Sequence, residues 1–79
     1  MSRVNNGHTI ARLTRREREI MLLVSEGLQN KEIGRQLDVS EGTVKIHLHH
    51  IFKKLQVANR TALAILARSS LSEIDTARP

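Results

Sequence analysis

With 79 residues, no cysteine and a single aromatic side chain, Phe52, the chain is at most one small domain. It has no disulfide, thiolate metal site or cysteine nucleophile, and no stacking platform for single-stranded nucleic acid. Its formal charge is +5 and its pI near 10.8, against an ordinary globular composition of 39% hydrophobic and 27% charged residues. The longest apolar runs, Ile20 to Val24 and Ala62 to Ala67, are too short to span a bilayer, and the opening MSRVNNGHTI lacks a signal peptide's apolar stretch. The expected location is therefore the cytoplasm or nucleoid.

Residues 1–12 carry no apolar period and include Asn5-Asn6-Gly7, which predicts a flexible tail or linker. Thr14-Arg15-Arg16-Glu17 then fits a capping box, with Ile20, Leu23 and Val24 on one helical face and Gly27 as the stop. Asn30 is the expected cap of a short second helix through Leu37, whose inner face is Ile33 and Leu37. Gly34 stands mid-helix, at a cost of about 1 kcal/mol relative to Ala, and a close crossing by another segment would account for it.

Asp38-Val39-Ser40 reads as a tight turn, with Ser40 capping a third helix over residues 41–56. Its core stripe is Val44, Leu48, Ile51 and Leu55, with Phe52 beside it. A short helix, a turn and a longer helix form the helix-turn-helix pattern. Asn59 is the expected cap of a fourth helix, residues 60–69, and the tail 70–79 is expected to fray. These readings predict an all-α domain over 13–69, with no strand, internal repeat or low-complexity segment.

Charge distribution says more than net charge. All eight acids lie at or before Glu41 or at Glu73 and Asp75, so Gly42 to Ser72 is free of acid while carrying Lys45, Lys53, Lys54, Arg60 and Arg68. Such a stretch suits a polyanion, though it also suits a merely solvated basic face. At 100° per residue, Gly42, Ile46, His49, His50 and Lys53 fall opposite the core stripe of the third helix, flanked by Thr43 and Lys45.

An α-helix fits the DNA major groove, and an apolar side chain there can touch a thymine methyl. Ile46 suits that contact, Lys45 suits guanine or phosphate, and Thr43 and Lys53 suit backbone. Alternatively, Ile46 is a singly exposed apolar residue or faces a protein partner. His47 and His50 share a face but lack the third and fourth ligands a structural zinc needs, so no metal and no cofactor are expected. Ser40 near Glu41 and His47 is explained as a cap. No nucleophile with an activating base and no glycine-rich phosphate loop is present, so an enzyme is not expected.

Four blocks in order, LTRRERE, GLQNKEI, VSEGTVKIH and KLQVANRT, make the segment from Leu13 to about Ala67 resemble the LuxR/NarL/FixJ-type helix-turn-helix domain, also called GerE-like. The resemblance implies a four-helix bundle that binds double-stranded DNA as a dimer in bacterial transcription regulation. Lys45, Ile46 and His49 match its base-facing positions, and Asn30, Lys31, Thr43, Lys53 and Arg60 its backbone-contact positions.

It also implies dimer contact through helix four. There Leu63, Ala64, Ala67 and Leu71 are expected to form the interface, with Ala62, Ile65 and Leu66 turned inward. Family members usually carry this domain behind a phosphoreceiver or ligand-sensing domain, and some stand alone. RNA polymerase is a further candidate partner, and no membrane contact is implied. The chain departs from the family's commonest pattern at Gly34, where Ala is frequent, at Gln56, where Gly is frequent, and at His49, where Lys is often found.

Two rival readings keep the fold. One is a protein-interaction module using Ile46 and helix four. The other is a fragment of the fourth region of a polymerase sigma factor, which the LTRRERE and KLQVANRT blocks disfavour.

Overall fold

The computed structural model describes residues 10–77, with side chains described through Ser70. Four helices account for the expected bundle: α1 (Arg15–Ser25), α2 (Asn30–Leu37), α3 (Glu41–Leu55) and α4 (Arg60–Ala77). No strand occurs among the described residues, so the fold is all-α. None of the described helices is long and apolar enough to cross a membrane.

The caps carry most of the local logic. Thr14 Oγ1 accepts from the Glu17 N–H at 3.1 Å, and Glu17 Oε1 accepts from the Thr14 N–H at 2.9 Å, closing the box that starts α1. Gly27, at φ 90°, takes the left-handed turn after α1. Ser40 Oγ accepts from the Thr43 N–H at 3.0 Å to start α3, and Asn59 Oδ1 accepts from the Ala62 N–H at 2.8 Å to start α4.

At α2 the cap is Gln29 rather than the expected Asn30. Glu32 Oε1 reaches back to the Gln29 N–H at 3.1 Å, while the Asn30 side chain is committed elsewhere.

The core joins Ile20, Met21 and Val24 of α1, Ile33 of α2, the expected stripe Val44, Leu48, Ile51 and Leu55 of α3, and Leu63 and Ala67 of α4. Burying each of the larger side chains contributes about 1.5–3 kcal/mol. Met21 takes the buried place expected of Leu23, which is half-buried. Helix α1 is the hub, packed on α4, α3 and α2, and α2 lies mainly against α3.

Ile10 and Leu13 are also buried, and the Leu13 N–H donates to the Ile10 carbonyl at 3.0 Å. The packed unit therefore begins before the expected boundary at residue 13, because Ile10 supplies an apolar side chain to the core. The rest of the expected tail, residues 1–9, lies outside the described residues. At the other end α4 continues to Ala77 rather than stopping near Ser69, since no proline or glycine interrupts residues 70–77.

Gly34 is explained by a close approach. A β-carbon there would lie 2.7 Å from the Val39 carbonyl oxygen, which is backbone and not free to swing aside. The same segment is tied in by the Val39 N–H donating to the Gly34 carbonyl at 2.9 Å, with Asp38 left-handed at φ 59°. The turn between α2 and α3 is thus drawn tightly onto α2.

Gly34→Val is expected to destabilise the domain by about 1–3 kcal/mol, an overpacking cost that exceeds any gain in helix propensity. Urea unfolding followed by circular dichroism checks this. A variant as stable as the native chain would mean the turn can move away at little cost.

Candidate nucleic-acid interface

Because α3 buries Val44, Leu48, Ile51 and Leu55, its opposite face is fixed. Gly42, Lys45, Ile46, His49, His50 and Lys53 are all exposed, with Ile46 58% accessible despite its apolar side chain. Lys45 and Ile46 both lie beside His49 on this face, being four and three residues from it along the helix. The His49 and His50 rings stand 6.0 Å apart, tilted by 55°. Half-buried Thr43 borders the face at its N-terminal end. Its hydroxyl oxygen accepts from the Ser40 hydroxyl at 3.0 Å, which leaves the Thr43 hydroxyl proton to donate outward.

Lys31 is exposed at the start of α2 and Lys53 in the last turn of α3. Asn30 and Arg60 meet each other. Arg60 Nη1 donates to Asn30 Oδ1 at 2.6 Å, and Nη2 donates to the Leu28 carbonyl at 2.6 Å. Between α2, α3 and the start of α4 a notch of about 290 Å³ opens, walled by Asn30 and Arg60 on one side and Lys45 and His49 on the other, with Leu48 and Phe52 behind. The structure thus gathers the expected Asn30, Arg60, Lys45 and His49 around one concavity.

A second long-range tie, on α3 itself, lies near the C-terminal end of that helix. Lys54 Nζ donates to Glu17 Oε1 at 2.8 Å, and the Glu17 side chain is 5% exposed. Sequence reading placed Lys54 with the basic surface and did not find this pair. The available signal was Glu17 itself, since a carboxylate at the start of a core-facing helix has to meet a donor. Burial pushes the Glu17 carboxyl up. The hydrogen bonds from Lys54 and Thr14, with the Lys54 charge, outweigh it and hold the group below its ordinary range.

The expected dimer surface needs correction. Leu63 and Ala67 are 0% exposed in the intramolecular core, Ala64 is half-buried, and the Leu71 side chain lies outside those described. Ile65, expected to face inward, is 65% exposed, while Ala62 and Leu66 are half-buried. The cause is the Arg60 anchor. Residues 60, 63, 64 and 67 share one helical face, so pinning Arg60 to Leu28 and Asn30 turns Leu63 and Ala67 into the core.

The fold is that of a helix-turn-helix domain whose second motif helix, α3, presents a cationic outward face. The comparisons with known proteins agree. The family model of the bacterial regulatory proteins, luxR family, matches residues 11–67. The nitrate/nitrite response regulator protein NarL of Escherichia coli K12 is 41% identical over 64 residues, covering 81% of this chain and 30% of that protein.

The monoamine regulon transcriptional regulator of Klebsiella aerogenes is 59% identical over 51 residues, covering 65% of this chain and 22% of that protein. The solved structure of response regulator StyR superposes with a TM-score of 0.79 at 34% identity, covering 86% of this chain and 34% of that one. The chain belongs to the luxR family of bacterial regulatory proteins, and it spans about a third or less of the length of these relatives.

The Glu17 pair carries a pH signature. With its folded pKa depressed, Glu17 contributes stability above the ordinary carboxyl range of about 4.3, and that contribution is lost as pH falls through the lower folded value. Lys54→Met leaves a buried carboxylate with one donor fewer and is expected to cost about 1–3 kcal/mol at neutral pH. Without the Lys54 hydrogen bond and charge the Glu17 pKa rises from its native value, so the deficit should shrink on acidification. Denaturation of both proteins from pH 7 to pH 3 checks this. A deficit that is constant with pH would place the loss in packing and not in the ion pair.

Proposed function

We propose that the domain binds double-stranded DNA sequence-specifically by laying α3 in the major groove, as one half of a dimer, in the regulation of transcription. The observation that carries the reading is Ile46, an apolar side chain more than half exposed on a face otherwise built of Lys45, His49, His50 and Lys53. A solvated basic face has no use for it, whereas a helix in the major groove meets base edges and thymine methyls there. Lys45, Ile46 and His49 are the proposed base readers. Lys31, Thr43 and Lys53 are the proposed backbone ligands, with Asn30 on the notch wall beside them.

Pairing is proposed through the exposed side of α4 around Ile65, in place of Leu63 and Ala67. The domain fits the effector segment of a longer regulator, since each relative above is a larger protein and two of them are named as response regulators. RNA polymerase is a candidate partner at such a site, and the cytoplasm or nucleoid is the matching location.

Lys31 and Lys53, the cationic backbone ligands, predict that log K falls with log salt with a slope of about −2 per subunit, at about −0.9 for each neutralised phosphate. Lys53→Ala should make the slope shallower by about one contact. Ile46→Ala should cost about 1 kcal/mol at one base pair of the preferred site while leaving non-specific affinity nearly unchanged. Fluorescence anisotropy with duplexes over a salt series measures all three. Affinity independent of salt, or an equal loss on every sequence for Ile46→Ala, would contradict direct readout and favour a protein-interaction module.

A further inference from the structure

We propose that Arg60 is a positioning residue for DNA binding, acting through Asn30, rather than a phosphate ligand in its own right. The inference rests on the DNA-binding reading above and adds to it how one contact is prepared. A guanidinium has only donors, so the Asn30 atom 2.6 Å from Nη1 is the carboxamide oxygen and not the nitrogen. That bond fixes the orientation of the Asn30 amide and leaves its nitrogen, a donor only, as the end available to a ligand.

Without the bond the carboxamide is free to turn over and present its oxygen, which repels a phosphate. With it, Asn30 offers donors at the notch that Lys45 and His49 also line. The second bond, from Nη2 to the Leu28 carbonyl at 2.6 Å, holds the guanidinium against the α1–α2 connection. A planar fork spanning two acceptors does this, and a single ammonium point does not. Half-buried and bonded at both terminal nitrogens, Arg60 faces its own chain. Its place at the start of α4 also sets the rotation of that helix, so one side chain orders both the notch wall and the face that α4 exposes.

A positioning residue and a phosphate ligand differ in two readouts. A neutral amide contact releases no counterion, so losing Arg60 through Asn30 lowers affinity with little change of salt slope. Losing a cationic phosphate ligand makes the slope shallower by about 0.9 per subunit. The two residues also act as one unit, so their losses should not multiply.

The test uses the 79-residue chain with a duplex recovered by selection from a random pool. Asn30→Ala and Arg60→Ala are each expected to weaken binding by about tenfold, the scale of one hydrogen bond to a charged group, and the double variant by about twofold more at most. Arg60→Lys, which keeps the charge but not the fork, is expected to bind as poorly as Arg60→Ala. Asn30→Asp keeps the acceptor for Arg60 and should melt no lower than the native chain while losing affinity by more than tenfold.

Losses that multiply to about a hundredfold, or a slope shallower by about 0.9 in Arg60→Ala that Arg60→Lys restores, would overturn the proposal. Should Arg60→Ala fail to fold, native-like affinity in Asn30→Asp overturns it instead. A native chain without salt-dependent affinity for any duplex would refute the DNA-binding reading itself, an outcome separate from normal binding with a multiplicative cycle.

Discussion

The Val39 carbonyl oxygen occupies the space a β-carbon on residue 34 would need, and the presentation of α3 follows from that approach. The two helices of the motif are joined by only three residues, Asp38 to Ser40, so the angle between them depends on how closely the turn can fold back. Glycine removes the obstruction, and the hydrogen bond from Val39 to the Gly34 carbonyl closes it. The mid-helix propensity cost of about 1 kcal/mol is thereby tied to geometry. Two further ties fix what the turn leaves free: Lys54 on the buried Glu17 near the end of α3, and Arg60 on Leu28 and Asn30 at the start of α4. Each joins elements distant in sequence through a charged side chain, in a bundle too small to rely on its core alone.

These ties also explain which parts of the structure could be read from the chain. The caps at Thr14, Ser40 and Asn59 were legible because each is a local bond three residues long. The stripe of α3 was legible because Val44, Leu48, Ile51 and Leu55 recur at helical spacing with mostly polar residues between them. Helix α4 offered no such contrast. With Ala62, Leu63, Ala64, Ile65, Leu66 and Ala67 in succession, every rotation places apolar residues inward, and the long-range bonds of Arg60 decide among them. Asn30 was misread as a cap for the same reason, since its partner lies thirty residues away and local pattern favours the nearer role. The burial of Ile10 was hidden by the polar sequence around it.

The interface was more legible than its supports. Lys45, Ile46 and His49 emerge from the sequence as an exposed group because exposure on α3 follows from its buried stripe. What each supporting residue does requires tertiary contacts. Lys54 and Arg60 both stand in the acid-free stretch and look alike as charges, yet one neutralises a buried carboxylate and the other spans a carbonyl and a carboxamide. Lys45 and Lys53 of that stretch, with Lys31 of α2, are the exposed lysines available to a polyanion around that face, while exposed Arg68 lies on α4.

The central claim is that the outward face of α3 reads DNA sequence. Its most direct test is selection of bound duplexes from a random pool by the native chain and by a variant carrying Lys45→Ala, Ile46→Ala and His49→Ala together. All three positions are exposed, so the variant should keep its helical content by circular dichroism. The account predicts that the native chain enriches a defined motif and that the variant, still folded, enriches none. Recovery of the same motif by both proteins, or no enrichment by the native chain, would contradict it.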